Sequence, residues 1–162
     1  MLTSRKIDDL VTPAKIRALN FLAAAKDDGI DVIVTCTVRD GEAQNALYAQ
    51  GRTREQLDAV GLTHLEPKPG AIVTNAHAGD SFHQYRVAFD VVPLRAGKPV
   101  WGTEGADGEL WERLGQIGEH CGLEWAGRWH GKLREEAHFQ FTGGLTLADF
   151  RAGRTIEERI AA

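Results

Sequence analysis

The sequence predicts an α+β domain in which helices flank a small antiparallel sheet that carries the site. Three observations lead there. Helical and strand-like segments alternate irregularly, without the regular strand–helix repeat of a parallel α/β fold. The runs that hold the conspicuous polar residues are short and rich in β-formers. The chain has 162 residues, 43% of them hydrophobic and 26% charged, which suits one domain with a real core. No repeat, low-complexity tract or linker divides it, so residues 1–162 read as a single domain.

Taken in order, Thr12-Pro13 reads as an N-cap followed by proline in the first helical turn. Ile16, Leu19, Leu22 and Ala23 mark the expected buried face of a helix reaching about Asp28, and Gly29 stops it. A core strand is expected over Asp31–Val38, delivering Arg39 at its end. Asp40 caps a second helix to Gln50, and Thr53 with Gln56 forms a capping box for a short turn to Val60. Gly61–Asp80 is loop-like, with Ile72-Val73 as a brief strand inside it, and a loop of that length is expected to border the site. A strand then runs to Leu94, with a turn at Arg95–Pro99. Leu110, Leu114, Ile117 and Cys121 mark the inner face of a helix over Glu109–Cys121, stopped by Gly122. Strands are expected over Leu123–Ala126 and Ala137–Phe141, and short helices after Thr146 and Thr155.

Several classes are excluded. The formal net charge of -4 leaves no general basic surface for nucleic acid. No apolar run is long enough to insert into a membrane. The first residues, Met1 to Asp9, lack the apolar segment of a secretory signal, so synthesis in the cytoplasm is expected. Cys36 and Cys121 read as small buried hydrophobes, with no pattern that calls for a disulfide or a zinc finger. A monomer is expected.

The chemistry concentrates in Ser81–Asp90. Asp90 sits among Val87, Ala88, Phe89, Val91 and Val92, where an aspartate is costly unless paired or bound to a metal. His83 lies seven residues upstream. In the last strand, His138 and Gln140 share one face, Phe139 and Phe141 the other, and Glu135 precedes His138 by three. Two readings fit: a His–Asp hydrogen bond satisfied in the core, or an open zinc site of two histidines and one carboxylate with Glu135 beside it.

The pattern Ser81-x-His83 with Ala88-x-Asp90, then Glu135-x-x-His138-Phe-Gln, resembles zinc peptidases of the D-alanyl-D-alanine carboxypeptidase type. Within them it looks most like the L-alanyl-D-glutamate peptidases that serve as phage endolysins. Thr37-Val-Arg39 with Gln44, Leu47–Thr53, Val73–Ala76, Gly79 and Leu123–Gly127 extend the likeness over most of the chain. Two positions depart from the family pattern: Arg86 stands where glycine is usual, and Ala137 where proline commonly precedes the last histidine.

The resemblance implies the hedgehog/DD-peptidase fold and one Zn2+ per chain on His83, Asp90 and His138. It implies Glu135 as general base and Arg39 as a group facing an oxyanion or a substrate carboxylate. Ser81, Gln44, Tyr48, His130 and Trp129 are further candidates for substrate contact or for supporting the ligands; core packing stands beside this for Gln44 and Tyr48. The implied substrate is the peptidoglycan stem peptide, cut between L-alanine and D-glutamate during phage-type host lysis, with a holin-type partner for release. A carboxypeptidase or dipeptidase acting on D-alanyl-D-alanine stays open, as does a zinc-dependent binding module without chemistry. No separate wall-binding module is visible.

Overall fold

The computed structural model describes residues 1–161. Its elements are α1 (Thr12–Asp27), β1 (Asp31–Cys36), α2 (Gly41–Tyr48), α3 (Arg54–Asp58), β2 (Ala88–Arg95), β3 (Lys98–Pro99), α4 (Gly105–His120), β4 (Glu124–Trp125), β5 (His138–Gln140), α5 (Leu147–Arg151) and α6 (Ile156–Ala161). The strands form one antiparallel sheet in the order β1-β2-β5-β4, with β3 folding back on β2 as a hairpin. The expected α+β architecture is the observed one.

The sheet has a helix-facing side and a site side because side chains alternate along a strand. Phe89 of β2 and Phe139 of β5 point to the helices and stack at 5.8 Å between ring centroids. Phe21 of α1 closes on both, at 5.8 Å from Phe89 and 4.7 Å from Phe139. All three rings are fully buried, and each contributes about 1.5–3 kcal/mol of transfer free energy. Asp90 and His138, one residue along from these phenylalanines, therefore face the other way.

Helix α1 corrects the expected face. Its buried residues are Ala14, Ala18, Phe21 and Ala25, while Ile16 and Leu19 are about half exposed. Helix α1 packs against α4 and β1, and its Phe21 reaches the Phe89 and Phe139 rings of the sheet. A Cβ on Gly115 would lie 2.1 Å from the Trp125 ring, and one on Gly118 would lie 2.5 Å from Phe139. Those two glycines are therefore buried on α4 together with Trp111, Leu114 and Ile117, while Leu110 and Cys121 are only partly covered.

The stop signals behave as the sequence indicates. After α1, Gly29 takes φ 77°, its N–H reaches Lys26 O and that of Ile30 reaches Ala25 O. Gly122 repeats this Schellman closure after α4. The capping boxes at Thr53/Gln56 and Thr146/Asp149 are both formed, and Asp40 accepts from Ala43 N. Val11, not Thr12, is the N-cap of α1, which puts Pro13 at its second position. The strand at Ile72-Val73 does not form; both residues are about half exposed in irregular backbone with no neighbouring strand to bury them. Cys36 and Cys121 are free thiols.

Arg86 has φ 60° and ψ 30°, ending the 3-10 turn Phe82–Tyr85 in left-handed backbone. The conformation is held because Arg86 N donates to His83 O and Arg86 O accepts from Val11 N at 3.0 Å. Its side chain is exposed, so it recovers little of the strain. Arg86→Gly is expected to stabilise the fold by about 1 kcal/mol, read as a melting temperature roughly 2–4 °C higher. A lower melting temperature would show that the arginine side chain holds this corner.

Candidate metal centre

The site lies on the face of the sheet opposite the phenylalanines. Register sets it: across the strands, Cys36 of β1 pairs with Asp90 of β2, and Asp90 with His138 of β5. The β1–β2 register slips between Val34 and Cys36, a bulge that brings Cys36 level with Asp90. His83 arrives from the 3-10 turn just before β2.

Two imidazoles converge on one carboxylate oxygen. His83 Nε2 and His138 Nδ1 each lie 3.2 Å from Asp90 Oδ1. The outer nitrogens are already committed: His83 Nδ1 faces Thr37 O at 3.1 Å, and His138 Nε2 faces Gln140 Oε1 at 3.0 Å. Both of those oxygens can only accept, so each outer nitrogen carries the hydrogen. The inner nitrogens of neutral rings would then aim bare lone pairs at a carboxylate. That arrangement calls for a cation between them, either a proton or a metal.

The electrostatics show the same demand. Burial favours the neutral form of His83, but the charge and hydrogen bond of Asp90, with the Cys36 thiol adding, lift its pKa to about 10. Burial also opposes the charge on Asp90, yet the His83 charge and hydrogen bonds from both histidines hold its carboxyl far below the usual range. Two nitrogens and a carboxylate oxygen suit zinc in hardness and number, and three protein ligands leave the open position of a catalytic site.

A second donor set shares two of these groups. Cys36, His83 and Asp90 bring ligand atoms within 4.8 Å of one another. On that side, however, Arg39 Nη2 donates to Cys36 Sγ at 3.3 Å and lies 3.8 Å from Asp90 Oδ2. A dication there would sit against a guanidinium, so the His138 side is favoured. Sequence reasoning treated Cys36 only as an apolar filler. The missing signal was the bulge, which alternation along β1 does not reveal.

Glu135 exposes a good part of its surface, yet its carboxyl is crowded enough that desolvation raises its pKa. The charge of His138 opposes that rise, Asp90 adds to it, and His83 and Arg39 oppose it, which places the carboxyl within the field of the whole cluster. A backbone bond from His138 N to Glu135 O closes the turn that keeps the two side chains near. Glu136 is drawn aside by Arg134 at 2.8 Å.

Arg39 is held by Gln44, whose Oε1 accepts from Nη1 at 2.9 Å. Fully buried, Gln44 also donates to Ala76 O at 2.7 Å and Thr74 Oγ1 at 3.3 Å, which ties the long loop to the site. Tyr48 goes elsewhere. It packs with Ala49, Leu57 and Leu62, under the Arg52 guanidinium and edge-on to His77. Trp129 borders the site, its ring 5.7 Å from that of His138. His130 is exposed beside it, before the 3-10 turn Gly131–Leu133. Ser81 is buried ahead of His83 without a capping bond from its side chain. An apolar cleft of about 220 Å³ beside Val11, Tyr85, Phe150 and Ile156 is lined by none of these residues.

The chain is similar to known proteins in both sequence and fold. A model of the family described as D-alanyl-D-alanine carboxypeptidase matches residues 74–141, the span that holds both histidines, Asp90 and Glu135. The peptidoglycan L-alanyl-D-glutamate endopeptidase CwlK of Bacillus subtilis is 35% identical over 138 residues, covering 82% of this chain and 73% of that one. The fold is shared with the Serratia marcescens L-Ala D-Glu endopeptidase ChiX, at TM-score 0.54, 20% identity and 92% coverage of each chain. It is also shared with the vancomycin-resistance D,D-pentapeptidase VanY of a VanB-type cassette, solved with Zn(II), at TM-score 0.54, 18% identity and coverage of 93% of this chain and 83% of that one. With a histidine–aspartate–histidine cluster at the centre of this fold, and a relative that close over most of its length, the chain belongs to the D-alanyl-D-alanine carboxypeptidase family of metallopeptidases.

Proposed function

We propose that the chain is a zinc-dependent peptidoglycan endopeptidase that hydrolyses the L-alanyl-D-glutamate bond of the stem peptide. One observation carries the chemistry: two imidazole nitrogens face a single Asp90 oxygen, each at 3.2 Å, with their outer nitrogens already committed. The choice of bond rests on the identity to the Bacillus subtilis endopeptidase. The Leu47–Thr53 segment supports the same choice and a role in phage-type host lysis, with a holin-type partner for release. We treat the chain as one catalytic domain.

His83, Asp90 and His138 would hold one zinc ion. Zinc supplies Lewis acidity, making a water acidic near neutral pH and polarising a carbonyl. Glu135 accepts the proton of the attacking water and delivers it to the departing amine. A raised pKa suits both halves of that task, since the group must take a proton and then give it up. Arg39, always charged and held by Gln44, offsets negative charge growing on the carbonyl oxygen. Trp129 gives the stem peptide an apolar wall beside His138.

Protein purified without added metal should carry close to one equivalent of zinc by elemental analysis. The His83→Ala, His138→Ala double variant should lose it; full retention would remove these histidines from the ligand set. Glu135→Gln should keep both metal and fold while the rate falls roughly 10²–10⁴-fold. An undiminished rate would transfer the role of base to another group. Mass spectrometry of digested sacculi should show new N-terminal D-glutamate on intact glycan strands. Release of free D-alanine, with that bond untouched, would favour the carboxypeptidase reading.

A further inference from the structure

Beyond the ligands and Glu135, a line of side chains runs from His138 to the sheet edge. Gln140 lies two residues along β5 on the same face and is 2% exposed. Its cross-strand partner is Glu124 of β4. Gln140 Oε1 meets His138 Nε2 at 3.0 Å, and Gln140 Nε2 donates to Glu124 Oε2 at 3.0 Å. The other oxygen of Glu124 accepts from Thr142 Oγ1 at 3.1 Å.

The direction of this chain follows from what each group can do. An ionised carboxylate only accepts, so Gln140 must turn its NH2 group toward Glu124. Its carbonyl oxygen then faces His138, and that oxygen only accepts. His138 must therefore carry its hydrogen on Nε2, which leaves Nδ1 bare and aimed at Asp90. Reversing any link would place a hydrogen on Nδ1, where a metal would have to bind.

We propose that Glu124 and Gln140 form a positioning relay that sets the tautomer and orientation of His138 as a metal ligand. The relay rests on the zinc reading above. Glu124 touches neither metal nor substrate; it acts two side chains away. Supporting partners of this kind are worth about 10–100-fold in metal affinity. The sequence showed only that Gln140 shares a face with His138. Glu124 stands on another strand and was not singled out.

Reversing the relay tests it. Glu124 is exposed, so Glu124→Lys should fold, and an ammonium there attracts the Gln140 carbonyl and turns its NH2 toward His138. The tautomer is read from 15N shifts of the metal-free protein, at a pH where the ring is neutral. Zinc affinity is read by chelator competition. Glu124→Lys should move the His138 hydrogen to Nδ1 and weaken zinc roughly 10–100-fold, with the metal-free melting temperature little changed. Glu124→Gln, which can still accept from Gln140, should keep both. The paired swap Glu124→Gln, Gln140→Glu restores donor and acceptor order and should rescue affinity relative to Gln140→Glu alone, which sets two carboxylates against each other. An unchanged tautomer in Glu124→Lys would overturn the relay. If the parent binds no zinc, the zinc reading fails, and the tautomer shift still decides whether the relay exists.

Discussion

A carboxylate in the middle of a sheet governs this molecule. Asp90 stands in β2 with β1 on one side and β5 on the other, between residues that are otherwise apolar. Leaving such a charge without a partner costs several kcal/mol. The protein meets the demand by surrounding Asp90 with two imidazoles and a guanidinium, none of them local to its own strand. The two carboxylate oxygens divide the work: Oδ1 faces both histidines, and Oδ2 faces Arg39. Positive charge is thus split into a fixed part on Arg39 and a part that a proton or a metal must supply.

The rest of the fold fixes those partners in place. The phenylalanine layer under the sheet sets the height of β2 and β5, so Asp90 and His138 rise side by side from its upper face. The bulge in β1 turns Cys36 and the following backbone toward the cluster, and Thr37 O then anchors His83. The left-handed turn at Arg86 swings the chain from the His83 turn into β2. Each of these is a backbone device placed next to a residue of the cluster, which is where irregularity is expected in an otherwise regular scaffold.

The long loop before His83 is tethered rather than free. Gln44 binds it at Thr74 and Ala76, Arg52 at Thr74 O, Asn45 at Ala78 N, and Asn75 reaches across to Lys132 O. Helix α2 therefore does two things with Gln44, orienting Arg39 and pinning the loop. Asn75 joins that loop to the segment leading to Glu135, so the chain on either side of the cluster is linked above the sheet.

Local physical signals made much of this legible in the sequence. The glycine stops after α1 and α4, the Thr53/Gln56 capping box and the alternation in β5 depend on residues a few positions apart, and they formed as expected. Asp90 was legible for a related reason: a charge within an apolar strand demands a partner wherever that partner lies. The resemblance to the family then pointed to His83, His138, Glu135 and Arg39 as candidates. What spacing did not contain was decided by tertiary contact. The buried face of α1 is that of Ala14, Ala18, Phe21 and Ala25, because the side that meets α4 and the sheet is set by how the elements assemble, and no periodicity within α1 reports where its neighbours lie. Tyr48 turns into a satellite core under Arg52, and Cys36 turns to Arg39, through packing and a bulge that only the assembled sheet defines. The donor order from His138 to Gln140 to Glu124, which also accepts from Thr142, spans two strands; it exists only once β4 and β5 are in register, because a hydrogen-bond direction is a property of paired groups and not of either sequence segment.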